Sequence, residues 1–459
     1  MHETLASENP EGPGSPALGG ELRAMARLAA PVVVVQVGLM AMGVVDTIMV
    51  GRVSAAALAA AALGNLYFIN VSFFGMGTLM ALDPLVSQAL GARDDASVAR
   101  AMQRGLVLTL ALSLFTALAL LSAGPVFDAL RQPPEVTPDA SRYVRITIWS
   151  VVPFLAFVVL RQSLQAMHRV APIVVTIVGA NVANVFLNWV LIFGKLGSPA
   201  MGVAGAAWAT TLSRWLMAVA LLALAWRELR PYLLHVRADA IRVGPILRMF
   251  RLGAPIGLQM TLEVSAFGLI GLLMGVLGAV ELGAHQIAIN LAATTFMVPL
   301  GVGAAAAVRV GRAVGAHDAA AARRAAKVAL LLGVGFMCLT AVLFVSVPAP
   351  LARTFTPDTR VLGVAVLLIP IAGIFQVFDG IQAVAAGVLR GIGDTRAPLI
   401  VNLFGFWLLG VPISVYLGFY TEARAVGLWW GLVAGLGAVA AFLLLRIRTR
   451  MRRGLARVE

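Results

Sequence analysis

A single cysteine, Cys338, stands in 459 residues, so the chain can form no intramolecular disulfide and no cysteine-based metal cluster. Charge is the second scarcity. Charged residues make up 12% of the chain against 60% hydrophobic, whereas a soluble domain carries about 25% charged residues. Water is therefore the wrong solvent for most of this protein. The apolar stretches hold no His/Glu metal spacing, no Ser/His pair and no phosphate-cradling glycine loop, which argues against a membrane-embedded enzyme. The absence of a nucleotide-binding domain excludes a self-contained ATP-driven pump. The polar N-terminal residues, with Pro10, Pro13 and Pro16, lack the short apolar stretch of a signal peptide and read as a disordered cytoplasmic lead-in.

What the chain does have is written twice. Arg27-Leu28-Ala29-Ala30-Pro31 returns as Arg251-Leu252-Gly253-Ala254-Pro255, a shift of 224 residues. The same shift carries Gly77 onto Gly301 and Gly91-Ala92-Arg93-Asp94 onto Gly315-Ala316-His317-Asp318. Further on, Ala171-Pro172 matches Ala397-Pro398 at a shift of 226. Each half divides into six apolar runs of about twenty residues, the length that crosses about 30 Å of hydrocarbon as a helix. Six spans per half is an even number, so both halves enter the membrane from the same side. The expected fold is an all-α membrane protein: twelve transmembrane helices in two six-helix lobes related by a pseudo-two-fold axis along the membrane normal. The expected divisions are a lead-in at 1–25, an N-terminal lobe at 26–227, a basic linker at 228–249, a C-terminal lobe at 250–446 and a basic tail at 447–459.

The net charge of +14 invites a nucleic-acid partner, but the positions argue otherwise. Alternate connections, from Arg23 and Arg27 through the linker to the tail, hold 26 of the 35 basic residues. This is the positive-inside bias, and it places both termini in the cytoplasm of a multi-pass protein of the bacterial inner membrane. The lipid bilayer is the partner; no nucleic acid is expected.

Four acids interrupt the apolar runs: Asp46, Asp83, Glu263 and Asp379. A carboxylate at mid-membrane costs a few kcal/mol even on lenient scales, so such groups are usually functional or shielded by a proton or cation. Taking Pro255 as the inner end of the seventh run puts Glu263 about 12 Å deep, and Asp379 lies about 16 Å from Arg390 on the same side. If the two face each other, a proton or a sodium ion relieves their repulsion. Asp46 lies about 22 Å from Pro31, with Gln36, Asn181, Asn184, Asn188 and Thr210 as nearby polar candidates. Asn184 and Asn188 share a helical face, where they serve either a site or the bridging of helices. Asp83, just before Pro84, reads equally as an interfacial cap, a snorkelling side chain or a functional group. His285 reads as an interfacial side chain near the outer face. Gln286 and Asn290 share a face suited to lining a cleft.

Taken together, these residues resemble a known family. Asp46-Thr47-Ile48-Met49-Val50-Gly51-Arg52 is similar to the first-helix signature of the multidrug and toxic compound extrusion (MATE) transporters. The repeated segments at 84–92 and 308–316, and Val388-Leu389-Arg390-Gly391-Ile392-Gly393-Asp394-Thr395, are similar to it too. The resemblance covers the chain beyond residue 20 and is strongest to the NorM-like branch. It implies a cation site at Glu263 and Asp379, with sodium or a proton as coupling ion and Phe375 as aromatic neighbour. It also implies that Asp46 protonates or binds a cation in the N-terminal lobe. In some relatives a second acid joins that aspartate, and the matching position here is Asn188. No cofactor is implied. The activity implied is export of cationic or amphipathic compounds in exchange for sodium or protons by alternating access, by a chain able to work as a monomer. The alternative within the same superfamily is a flippase or exporter of lipid-linked oligosaccharides or metabolites. Such proteins commonly need interior bases, and here only Arg214 qualifies.

Overall fold

The computed structural model describes residues 18–235, 238–452 and 455–458, and among them every regular element is helical. Twelve helices are long and apolar enough to span a membrane: α1 (Gly19–Gly51), α2 (Ala55–Gly91), α3 (Asp95–Leu121), α4 (Thr137–Ala166), α5 (Ala171–Phe193) and α6 (Gly202–Leu224) form the first lobe. The second lobe comprises α7 (Val243–Leu277), α8 (Ala279–Gly315), α9 (Ala319–Ser346), α10 (Thr359–Gly391), α11 (Arg396–Phe419) and α12 (Arg424–Arg452). Large apolar side chains face outward along them, Leu114 at 63% exposure among others, as a hydrocarbon solvent allows.

The sequence repeat acts locally as a repeated helix stop. Arg93 and His317 both adopt φ 57°, and the amides of Asp94 and Asp318 reach back to the carbonyls of Ala89 and Ala313, each at 2.9 Å. Each aspartate then caps the next helix, Asp94 accepting from Ser97 N at 2.9 Å and Asp318 from Ala321 N at 2.7 Å. His168 (φ 60°) and Gly393 (φ 79°) make the same turn after α4 and α10. All four turns lie at one end of the bundle, the arginine-rich end.

The lobes meet through α1 against α8 and α2 against α7. Gly91 packs on the carbonyl of Arg312, and Gly315 packs on the carbonyl of Gln88. Because Gln88 and Arg312 are repeat counterparts, the two glycines exchange partners as a two-fold axis requires. Gly77 against Gly257 and Gly301 against Val33 form a second exchanged pair. Ion pairs reinforce the seam. Arg309 grips Glu21 with both arms at 2.8 Å, Arg390 stands 3.5 Å from Asp83, and Arg457 stands 3.0 Å from Asp94. Gln88 donates to the Gly391 carbonyl at 2.9 Å and accepts from the Val458 amide at 2.8 Å. Among the described residues, every hydrogen bond joining the lobes lies in this arginine-rich half.

Several boundaries differ from expectation. Helix α1 already includes residues 19–25, assigned above to a disordered lead-in, and Glu21 there is buried because Arg309 holds it; residues 1–17 lie outside the described residues. Helix α7 begins at Val243, inside the expected linker, and α12 continues to Arg452 with Ile447 and Met451 buried, so the start of the expected tail is helix. Pro31 and Pro255 sit inside α1 and α7 and do not mark their inner ends. A bilayer tolerates proline within a helix because neighbouring groups satisfy the freed backbone. Arg161, Arg309 and Arg390, basic residues of the arginine-rich end, likewise lie within helices.

Candidate functional site

Each lobe holds one acidic centre, built differently. In the N-terminal lobe, Asp46 projects from the last turns of α1 toward α5 and α6. Asn188 Nδ2 donates to its Oδ1 at 2.6 Å and Thr210 Oγ1 donates to its Oδ2 at 2.7 Å. Asn188 Nδ2 also reaches Asn184 Oδ1 at 3.2 Å, which realises the shared face read from the spacing of four. Both oxygens of the carboxylate are thus held by neutral donors. Tyr143 and Arg214 are the other ionisable side chains close enough to share its field. Arg214 donates to Ser150 Oγ at 2.7 Å, and its guanidinium lies 4.0 Å over the Phe68 ring and 5.3 Å from that of Phe154.

In the C-terminal lobe, Glu263 of α7 accepts at one oxygen from Gln382 Nε2 (2.9 Å) and Asn402 Nδ2 (3.2 Å). Asp379 lies one turn before Gln382 on α10, 7% exposed, within electrostatic reach of Glu263. Asp379 Oδ1, Gln382 Oε1 and Asn402 Oδ1 are all buried with no hydrogen-bond donor. Buried polar atoms normally have partners, so three lone acceptors around one carboxylate form a donor set suited to a hard cation, which prefers oxygen ligands. Asn402 stands where α11 widens into a π-helix from Leu403 to Gly410, a local form that recurs at functional sites. Within that wide turn Trp407 donates to the Leu262 carbonyl at 3.2 Å and fixes α11 against α7 beside Glu263. Phe267, one turn beyond Glu263, and Phe375, one turn before Asp379, meet edge to face at 5.9 Å, and Trp429 closes on Phe375 at 5.5 Å.

Not all expected members belong. Gln36 lies away from Asp46 and accepts from Arg161 at 3.3 Å, while Asn181 donates to the Gly38 and Ile177 carbonyls and bridges helices. Gln286 and Asn290, expected along a cleft and not in either centre, are exposed on one face of α8. His285 is not interfacial: it is 3% exposed and lies beside the Trp429 ring at 5.7 Å. Asp83 is neither a surface cap nor a snorkelling side chain, since it is 1% exposed and pairs across the seam with Arg390. Helix α7 starts twelve residues before Pro255, which places Glu263 about 30 Å along it and not 12 Å. Gln382 and Asn402 went unread. For Gln382 the signal was present, because it sits three residues from Asp379 and so on the same helical face.

Two six-helix lobes, duplicated in sequence, exchanged about a two-fold axis and each carrying an acidic centre, define a two-lobed membrane transporter. The MatE family model matches residues 31–190 and 255–416, and the chain belongs to that family. It is 39% identical over 439 residues to a probable multidrug resistance protein NorM of Mesorhizobium japonicum, covering 93% of each chain. It is 36% identical to the multidrug resistance protein NorM of Burkholderia vietnamiensis, again over 93% of each. The crystal structure of the eukaryotic MATE transporter AtDTX14 superimposes with a TM-score of 0.86 over 94% of this chain and 96% of that one, at 23% identity, which speaks to the fold.

Proposed function

We propose that this protein is a multidrug efflux transporter that exports cationic or amphipathic compounds in exchange for sodium or protons by alternating access. The reading is supported by the multidrug resistance proteins named above and by one observation in particular, the buried set of unpartnered oxygens around Glu263. A coupling ion must bind at a site whose affinity changes as the lobes move. Glu263, Asp379, Gln382 and Asn402 come from α7, α10 and α11, so a shift of any of these helices changes the donor set. In the N-terminal lobe Asp46, held by Asn188 and Thr210, is the second coupling group.

The arginine-rich end is assigned to the cytoplasm by the positive-inside rule. The conformation described, closed at that end by the seam, is then the one in which cargo leaves to the outside. Small molecules are the cargo, the bacterial inner membrane is the location, and a single chain encloses the pathway. Lipid-linked oligosaccharide transport is disfavoured because Arg214 is engaged by two aromatic rings and Ser150 and does not stand free for a pyrophosphate.

The test is reconstitution in liposomes loaded with ethidium, with sodium and proton gradients imposed separately. Efflux driven by either gradient and lost in Glu263→Gln, Asp379→Asn and Asp46→Asn is the expected result. Full activity in the first two variants would remove the C-terminal centre from coupling. No movement under any gradient would remove the antiport reading.

A further inference from the structure

A second site lies away from both acidic centres, at the arginine-rich end, where α2 and α3 of one lobe face α7 of the other. A cavity of about 400 Å³ opens there, within the range of about 300–1,000 Å³ typical of ligand pockets. One wall is cationic, with Arg100 from α3, Arg248 from α7 and Arg457 from the segment after α12. The floor is apolar, made by Leu85, Met249 and Leu252. Asp94 is the acid in the lining. It is committed to Arg457 at 3.0 Å, and its carboxyl is held down to about 2 by hydrogen bonds from Ser97 and by that guanidinium. Arg100 donates to the neutral Ser97 hydroxyl at 2.7 Å. Neither Arg100 nor Arg248 has an ion pair with a described carboxylate.

The positive-inside bias accounts for arginines on this face, but not for their convergence over an apolar floor. Two guanidinium groups without carboxylate partners call for an anion, and the guanidinium fork matches phosphate oxygens. Leu85, Met249 and Leu252 add a requirement for hydrocarbon in the same ligand. The surface around the cleft continues into apolar side chains that face outward on the same stretch of α7, Val243 at 77% and Leu247 at 41% exposure. We propose that this cleft binds an anionic phospholipid of the adjacent leaflet, its phosphate on Arg100 and Arg248 and its proximal acyl carbons against Leu85, Met249 and Leu252. Because both lobes line the cleft, the lipid binds the seam-closed state and not a state in which the lobes part at this end. It therefore shifts the population toward closure, as any ligand with differential affinity does. This does not depend on the identity of the coupling ion.

The purified full-length protein in detergent is titrated with short-chain phosphatidylglycerol, short-chain phosphatidylcholine and inorganic phosphate. Adducts are counted by native mass spectrometry, and thermal unfolding midpoints are read in parallel. Arg100→Gln/Arg248→Gln is compared with Arg23→Gln/Arg27→Gln, which removes the same charge from exposed positions of α1 on the same face, and with Arg100→Lys/Arg248→Lys, which keeps the charge. Phosphatidylglycerol is expected to bind the wild type and to bind the Arg100/Arg248 glutamine variant roughly thirtyfold more weakly. The α1 variant should match the wild type and the lysine variant should fall between. Equal binding by wild type and the Arg100/Arg248 glutamine variant overturns the proposal, as does an equal loss in both glutamine variants, which would make the effect one of general surface charge. Phosphatidylcholine binding as tightly would remove the anion requirement, and inorganic phosphate binding as tightly would remove the lipid.

Discussion

The two acidic centres occupy corresponding lobes of a duplicated fold, yet they solve the problem of a carboxylate in a membrane in opposite ways. Around Asp46 the protein supplies donors: an amide and a hydroxyl reach its two oxygens at 2.6 and 2.7 Å. Around Glu263 it supplies two amide donors to one oxygen and, beside them, three further oxygens without a donor, against one, Asn188 Oδ1, beside Asp46. A carboxylate surrounded by donors is satisfied by the protein itself, and a proton exchanged there rearranges hydrogen bonds. A carboxylate surrounded by acceptors is incomplete until a cation arrives. Duplication therefore preserved the scaffold but not the site: the repeat counterpart of Asp46 is Ile270, buried in α7, and that of Asn188 is Ser414, which donates to the Leu428 carbonyl.

The largest effects should come from removing the charge of the acceptor-rich centre. Asp379→Asn or Glu263→Gln is expected to lower ion-driven ethidium efflux at least about a hundredfold, with protein levels in the membrane unchanged, because half the negative charge facing the ion is lost. Asp46→Asn would break the comparison if it abolished the response to a sodium gradient. The expected result is that the response to a proton gradient is lost first.

The seam sets the next effect. Removing one partner of the buried Asp83–Arg390 pair strands a charge, at a cost of about 3–5 kcal/mol. Asp83→Asn should therefore lower the unfolding midpoint and open the arginine-rich end to a water-soluble thiol reagent at Ser87→Cys, a buried seam position that faces Gly311. The combined Asp83→Leu/Arg390→Met protein should recover much of the stability, as replaced buried pairs often do.

Smaller again is the contribution of the amides. Gln382→Leu or Asn402→Leu should raise the half-saturating sodium concentration about tenfold with little change at saturating ion. Asn188→Leu, the corresponding change at the donor-rich centre, should leave that concentration alone. Equal effects from all three would erase the distinction between the centres.

Smallest is Asp94. Its carboxyl is depressed to about 2 by Ser97 and Arg457, so it stabilises the fold above the ordinary carboxylate range and loses that contribution only as pH falls toward 2. Asp94→Asn should cost no more than about 1 kcal/mol, since the pair is partly exposed. It should leave the pH profile of transport between 5 and 8 unchanged.

Much of this was legible because a membrane makes charge conspicuous. Asp46, Glu263 and Asp379 stood out as carboxylates in apolar runs, and the repeat fixed the span count and the axis. Amides carry no such flag, so Gln382 and Asn402 passed for ordinary polar residues, although only Asn402's place at a π-helix makes it a partner of Glu263. Prolines misled, because Pro31 and Pro255 punctuate soluble helices but sit within membrane ones. The seam was invisible for another reason. Arg390 and Arg457 belong to the arginine-rich end, and nothing in the spacing of a chain announces that Asp83, more than 300 residues earlier, pairs with the first of them.

The polarity of that seam has a consequence for the origin of the molecule. In all three ion pairs the acid belongs to the first lobe and the arginine to the second. The repeat counterpart of Arg309 is Leu85 and that of Arg390, counted back from the shared turn at His168 and Gly393, is Gln165. Two copies of the first lobe would thus set Glu21 against a leucine and Asp83 against a neutral glutamine, and two copies of the second would leave both arginines unanswered. The halves have become obligate, unlike partners. Expressed as separate chains they should recognise each other and reject themselves.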